Sequence, residues 1–536
     1  MDEKTLYEQT CSFFEKSFSR QLEFNQTQLQ EHLRRWQQTI TSKRIASTIN
    51  SVTDIPLTTY ADYPEMSEFG MRLQEMLLQN PRRKDELLAD YYCRIARQLT
   101  SKLSNVLPYN LGFVVKTTGS TGPSKWLAHG EVFWENFRLD SLALGILACS
   151  ENWGASKFRI GERVLNVVAP APYLSGWAMK AVIPYCQLVP PLEISDNISD
   201  VRQKFYFALR VIEKGEKITL GGANAATLYM LYRYLADREN FFRDLYNSVE
   251  WGTIKLYFLY QLLKSYFASS KPNDVFARLP LKGAAVGGAD TKVYSEFFKN
   301  TFGIVPLNLY GSSEGGVNML GTPDDRLNLM PNLRSSYYEF LDYEKGEVLS
   351  LEEVKKDRLY ELVITPFGSA LARYRTGDLF RLIKVKDDGM PIFSCEGRAH
   401  TVIDVYGYFR LTEGLITEAL ILAGLKNSDK WAVIKQMMPN EHLHFLMEKT
   451  WDYSEKEAEK QIFKALSTVS TDFAAYVDIF GIKDPSKLIK VEYLKQGAFT
   501  RYYMYASKAG LPLGQLKAPK IIPTDRLDIF ELLKRV

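Results

Sequence analysis

Along the first fifty residues, apolar side chains such as Leu6, Phe13, Phe14, Phe18 and Leu22 recur at helical spacing among charges. That pattern predicts helices, and a stripe of this kind is core packing. Further on, short β-branched runs alternate with longer amphipathic stretches. Strands are expected in RVLNVVAPAP (163–172), KGAAVGGAD (282–290), IVPLNLYGSSEGG (304–316) and LYELVITPF (359–367), with helices over 131–149, 222–246 and 291–302. Strands alternating with helices predict an α/β fold with substantial parallel sheet, in which ligands gather at the carboxyl ends of the strands. Beyond about residue 400 the pattern changes. EGRAHTVIDVYGYFRL leads into a smaller α+β region with a helix at 455–466 and a polar tail marked by Gly and Pro. A domain boundary is therefore expected near 398–405, giving an N-terminal domain of residues 1–400 and a C-terminal domain of residues 401–536. Internal repeats and low-complexity tracts are absent.

Length agrees with this division, because 536 residues exceed what one hydrophobic core organises. A net charge of +4 without any basic run gives no electrostatic basis for nucleic-acid binding. Five scattered cysteines, odd in number and without a CxxC, fit a reducing cytoplasm. The acidic, polar start MDEKTLYEQT is no signal peptide, and the most apolar run, LALGILAC at 142–149, is far short of the ~20 residues of a membrane span. A cytoplasmic protein without a membrane partner is expected. His442 and His444 fall on one face of a strand, but without a nearby cysteine or paired carboxylate they read as structural. No GxSxG elbow is present, which disfavours a serine hydrolase. The remaining candidates for chemistry are phosphate handling, carboxylates and lysine.

KTTGSTGPSKW (116–126) brings hydroxyls, glycines and Lys125 together in a stretch with little apolar content. Such a stretch suits a solvated turn, and equally a cradle in which N–H groups, hydroxyls and an ammonium converge on phosphate. It fails the Walker spacing. LGFVVKTT before it and KWLAHG after it read as strands, so the loop would cap a hairpin. Three later segments carry further candidates: LYGSSEGG with Tyr310, Gly311, Ser312, Ser313 and Glu314; RYRTGDLFRL with Tyr374, Gly377 and Asp378; and CEGRAHTVIDVYGYF with Gly397, Arg398 and Asp404. Each alone is an ordinary turn. Their order and joint presence are far more specific.

Together they resemble the core motifs of the adenylate-forming superfamily, over about residues 110 to 525. The resemblance implies a large N-terminal domain of mixed and parallel sheets flanked by helices, with a smaller mobile α+β domain at the C-terminus. In its terms Thr118, Gly119, Ser120, Thr121, Gly122 and Lys125 hold the ATP phosphates, Tyr310 stacks on adenine within the segment Tyr310 to Ser313, and Glu314 binds Mg²⁺. Asp378 accepts the ribose hydroxyls, Gly287 and Gly288 lie along adenine, Arg398 contacts ribose or phosphate, and Asp404 sits at the interdomain hinge. YGSSEG, YYEFLDYE (337–344), YELVITPFGSALARYRTGDLFRL and the ending GAFTRYYMYASKAGLPLGQLKAPK are most similar to the Gretchen Hagen 3 acyl-acid amido synthetases. That ending makes Lys517 the candidate lysine of the mobile domain; a solvated surface lysine is the ordinary alternative. The loop spelling TTGSTG departs from the SSGTS of the plant enzymes.

The resemblance implies an ATP-dependent ligase that adenylates a small carboxylic acid and transfers the acyl group to an amino acid or other amine. An acyl-CoA or carrier-protein ligase shares the first half-reaction, and GYFRLTEGLITEAL would suit its carboxyl-domain loop. Mg²⁺ on Glu314, the loop N–H groups, Lys125 and Lys517 would offset the repulsion between two anionic reactants. Tyr173 and Trp177, in APAPYLSGWAMKAV (169–182), are the candidate acyl-pocket residues, with the helix expected from about Ala223 as a second wall. Core packing is the competing role for each.

Overall fold

A computed structural model describes residues 2–535 apart from 47, 104, 118–124, 199–200, 226–227, 230–258, 260–278, 288–290, 357, 406–408, 426–428, 438–440, 481, 509–517 and 525. Its centre is a twelve-stranded sheet. One half is parallel, in the spatial order Cys186–Val189, Glu162–Asn166, Leu220–Asn224, Gly283–Gly287, Leu307–Ser312. The other half is antiparallel and continues through Gly316–Thr322, Asp325–Pro331, Pro391–Arg398, Tyr374–Val385, Leu359–Pro366, Ser336–Asp342 and Val348–Ser350.

Alternation along the parallel strands divides the core. Val164 and Leu220 join the cluster beneath the helix Glu131–Ala148, whereas Leu165, Ala284 and Val286 join a second cluster with Phe205, Phe297 and Phe298. Those three phenylalanines come from the helices Val201–Glu213 and Ser295–Phe302, so helices cover both faces. All four expected strands form, the first beginning one residue ahead of its expected segment. Of the helix expected over 222–246, the first three residues fall in the strand Leu220–Asn224, Ala225, Leu228 and Tyr229 are helical, and the remainder lies outside the described residues. Small residues win there because the strand is wedged between two others: a Cβ on Gly221 would already lie 3.2 Å from Ala284 Cβ.

The N-terminal helices Glu3–Thr10 and Phe18–Trp36 bury their apolar stripe as expected. Their polar anchors reach distant carbonyls: Asn25 Nδ2 donates to Leu333 O at 2.6 Å, and Trp36 Nε1 to Ala370 O at 2.6 Å.

Residues past 400 build the hairpin Ile403–Val405/Phe409–Leu411 and a four-stranded sheet, ordered Ile489–Leu494, His442–Glu448, Trp431–Gln436, Ile521–Ile522. The helices Glu413–Leu422, Glu455–Val469, Thr471–Ile479, Ala498–Lys508 and Leu527–Arg535 complete this part, whose buried clusters are its own. Thr412 Oγ1 donates to Glu396 Oε2 at 2.8 Å, tying it to the end of the central sheet. His442 and His444 do share a strand face, with ring centroids 6.3 Å apart. No helix among the described residues is long and apolar enough to cross a membrane.

Candidate functional site

The Gly/Ser/Thr loop does sit on a hairpin. Strands Leu111–Lys116 and Trp126–Gly130 pair antiparallel, and Thr117 N–H donates to Lys125 O at 2.8 Å just before the tip. Thr118, Gly119, Ser120, Thr121 and Gly122 lie outside the described residues, as do Gly288 and Lys517. Lys125 is half-buried, its Nζ 4.9 Å from the centroid of the Tyr60 ring.

Tyr310 to Ser313 leave the carboxyl end of the last parallel strand and turn into the strand Gly316–Thr322. A side chain at Gly311 would meet Gly316 O at 2.9 Å, which explains the glycine. Ser312 Oγ accepts from Gly315 N–H at 3.1 Å and from Asn318 Nδ2 at 3.0 Å, stapling the turn from within. His129 pins it from the hairpin: its Nε2 lies 2.9 Å from Ser313 O, and its ring stacks on Phe133 at 3.9 Å. Burial pushes the His129 imidazole down to about 4, so it is neutral and Nε2–H is the donor. The histidine count alone gave no sign of this latch; only its place in the strand after the Gly/Ser/Thr loop hinted at it.

The TGD turn lies on the neighbouring edge. Gly377 takes φ +74°, and Asp378 N–H donates to Thr376 Oγ1 at 3.2 Å. Asp378 faces Arg398 across the ladder between strands 374–385 and 391–398. Its Oδ1 takes Arg398 Nε at 2.8 Å and its Oδ2 takes the Tyr310 hydroxyl at 2.6 Å. Tyr310 is braced edge-on by Phe380, with centroids 4.9 Å apart. Burial and the Asp378 carboxylate push the Tyr310 phenol well above its usual value. Against burial, Asp378 holds the Arg398 guanidinium above its own. Glu314 belongs to the same field: burial, then the Asp378 charge, raise its carboxyl, while Arg398 and Lys125 oppose the rise.

Tyr310, Gly311, Ser312, Ser313, Glu314, Asp378, Arg398 and Lys125 thus converge from four separate segments of the sequence. Asp404 stands apart, in the hairpin beyond Arg398, with its carboxylate 3.4 Å from Arg410 Nε.

A cavity of about 490 Å³ opens beside this cluster, and Gly287 and Tyr310 to Ser313 are in its wall. Tyr173 lines it from the start of the helix Leu174–Val182. Trp177 does not. It packs edge-on against Phe113 at 5.0 Å and Trp134 at 5.7 Å, on the core side of that helix. Lys116, beside the loop, is the single charged residue in the wall among those described.

Residues 329–398, which carry the TGD turn and Arg398, match the GH3 family central domain. The solved structure of GH3.15 acyl acid amido synthetase superposes with a TM-score of 0.63 at 18% identity, covering 96% of this chain and 93% of that one. AtGH3.15 acyl acid amido synthetase in complex with 2,4-DB gives 0.63 at 16% identity, covering 99% and 95%. Comparison with curated protein sequences found no match. This chain therefore shares its fold with the solved GH3 acyl acid amido synthetases, and its segment 329–398 matches the GH3 family central domain.

Proposed function

We propose that this protein is an ATP-dependent acyl-acid amido synthetase. The observation that carries the reading is the Tyr310–Asp378–Arg398 cluster at the mouth of an apolar cavity, within a fold shared with GH3 enzymes. In the first step a carboxylate oxygen of the acid attacks the α-phosphorus of ATP; the bond to the β-phosphate oxygen breaks and pyrophosphate leaves. In the second, an amine nitrogen attacks the acyl carbon of the mixed anhydride, AMP departs and the nitrogen loses a proton, leaving an amide.

Each side chain has a share in this. Asp378 supplies acceptor oxygens suited to ribose hydroxyls, and the Tyr310 ring offers a face for adenine. Arg398 and Lys125 place positive charge where two anionic reactants meet. The 118–122 loop and Lys517 complete the site in this reading, the loop around the phosphates and the lysine from a C-terminal domain (401–536) acting as the lid. Glu314 is the residue that would hold Mg²⁺. Its carboxyl is raised first by burial and then by the Asp378 charge, and a cation beside it would favour its ionised form. Among the described residues no cluster of three His, Cys, Asp or Glu exists, which suits an ion that takes most ligands from phosphates and water. Magnesium there supplies charge neutralisation to the reacting phosphates.

The test is ATP–pyrophosphate exchange across a panel of carboxylic acids, followed by mass spectrometry of products formed with amino acids or with CoA. Acid-dependent exchange and an amide product are expected. Exclusive thioester formation would replace the amine acceptor by CoA, and absence of exchange with every acid would overturn adenylation.

A further inference from the structure

The cavity is long. Along the helix Glu131–Ala148 its wall runs from Phe137 to Ala148, about 16 Å at a rise of 1.5 Å per residue. Along the sheet it runs from Cys186, at the amino end of the parallel strands, to Leu309 at their carboxyl end. The register Cys186–Glu162, Val164–Leu220, Gly222–Ala285, Gly287–Leu309 makes that distance about 20 Å at 3.3 Å per residue.

Charge and hydrogen-bonding groups are confined to one end. Lys116, Tyr173 and the Tyr310–Ser313 turn stand at the carboxyl end of the parallel strands, while Phe158, Val182 and Cys186 line the other end. Both serine hydroxyls on the side walls are spent on backbone: Ser141 Oγ donates to Phe137 O at 2.8 Å and Ser175 Oγ to Ala169 O at 3.0 Å. Burial pushes the Cys186 thiol up to about 12, so it is uncharged. Midway stands Gly145, inside a helix where glycine is disfavoured, and a Cβ built on it meets no atom within 4 Å. Its missing side chain faces open space.

We propose that the acid is a monocarboxylic acid with an elongated, uncharged apolar tail. The carboxylate stays beside Lys116 and the Tyr310–Ser313 turn, and the tail passes Gly145 toward Phe158 and Cys186, with Gly145 setting the length admitted. This rests on the adenylation reading for the placement of the carboxylate. A long apolar wall without a free polar group penalises any tail that brings one.

The test is isothermal titration of the full chain with butanoic, hexanoic, octanoic, decanoic and benzoic acids, paired with pyrophosphate exchange on the same acids. Affinity is expected to rise about fourfold per methylene through decanoic acid. Gly145→Leu should lose decanoic acid by more than about tenfold and butanoic acid by much less. Gly145→Ala, which keeps the helix, should shift the preference the same way by less. A flat series, benzoic acid tighter than decanoic, no binding by any acid, or equal effects of Gly145→Ala on all lengths would each overturn the proposal. Length-graded binding without exchange would instead sink adenylation and leave the tail assignment standing. Exchange with compact acids alone would do the reverse.

Discussion

The Tyr310 hydroxyl donates to Oδ2 of Asp378 at 2.6 Å while Arg398 holds Oδ1 at 2.8 Å, so both oxygens of the expected ribose acceptor already have protein partners. A nucleotide arriving at Asp378 must share or displace them. Tyr310→Phe keeps the ring that rests on Phe380 and removes only the donor. A hydrogen bond to a charged group contributes about 1.5–3 kcal/mol, so urea denaturation of the apo variant should show a loss of that size. The vacated oxygen is then open to a ribose hydroxyl. The rise in Tm on adding ATP should therefore be larger in Tyr310→Phe than in the parent chain. An equal rise would show that the nucleotide does not reach Asp378.

The strand that presents the TGD turn is held from behind by a buried ion pair. Arg373 adopts φ +44° and gives Nε and an Nη to the two carboxylate oxygens of Glu339 at 2.9 and 2.8 Å, with a third bond to Ile55 O at 2.6 Å. Both side chains are under 10% exposed. Arg373→Met leaves the Glu339 charge uncompensated and should cost about 3–5 kcal/mol in urea denaturation. Arg373→Met combined with Glu339→Met should recover at least half of that loss, because the unpaired charge is gone. If the double variant is no more stable than the single one, backbone strain at Arg373 outweighs the charge.

Legibility in the sequence followed range. The strands at 163–172, 282–290, 304–316 and 359–367 were readable because each is a short, largely apolar run closed by Gly or Pro. The strand Leu220–Asn224 was not, because Gly221 and Gly222 carry no periodic signal; close packing against Ala284 selects them. Motif order brought Tyr310, Asp378 and Arg398 into one expected site. That they bond to one another depends on the 374–385/391–398 register and on where the 307–312 strand ends, which no local pattern encodes. Trp177 illustrates the opposite failure. Its neighbour Tyr173 faces the cavity, yet the helix turns the indole toward Phe113 and Trp134.

Acid should loosen the Glu314 turn through His129. Its imidazole is held down at about 4 by burial, against 6.5 when exposed. Between those values the unfolded chain takes up the proton first, so stability falls as pH drops through that window and is restored above it. This one group contributes about 2 kcal/mol of loss between pH 7 and pH 5. His129→Gln, which can still donate toward Ser313 O, should show a correspondingly shallower decline in urea midpoints over that range. An unchanged slope would mean that His32 and His444, also held down by burial, carry the whole effect.

Gly145 offers the cleanest separation of stability from function. It sits inside the helix Glu131–Ala148, where glycine costs about 0.5–1 kcal/mol relative to alanine through the freedom it retains in the unfolded chain. The usual reason to keep a glycine in such a helix is a neighbour that a methyl group would strike. None lies within 4 Å of a Cβ at this position. Gly145→Ala should therefore raise stability by about 0.5–1 kcal/mol in urea denaturation, because the added methyl enters empty space. A glycine that weakens its own helix and avoids no clash is explained by the volume it leaves open. If Gly145→Ala is instead destabilised, the helix surface there is filled, and the cavity cannot extend past it to Cys186.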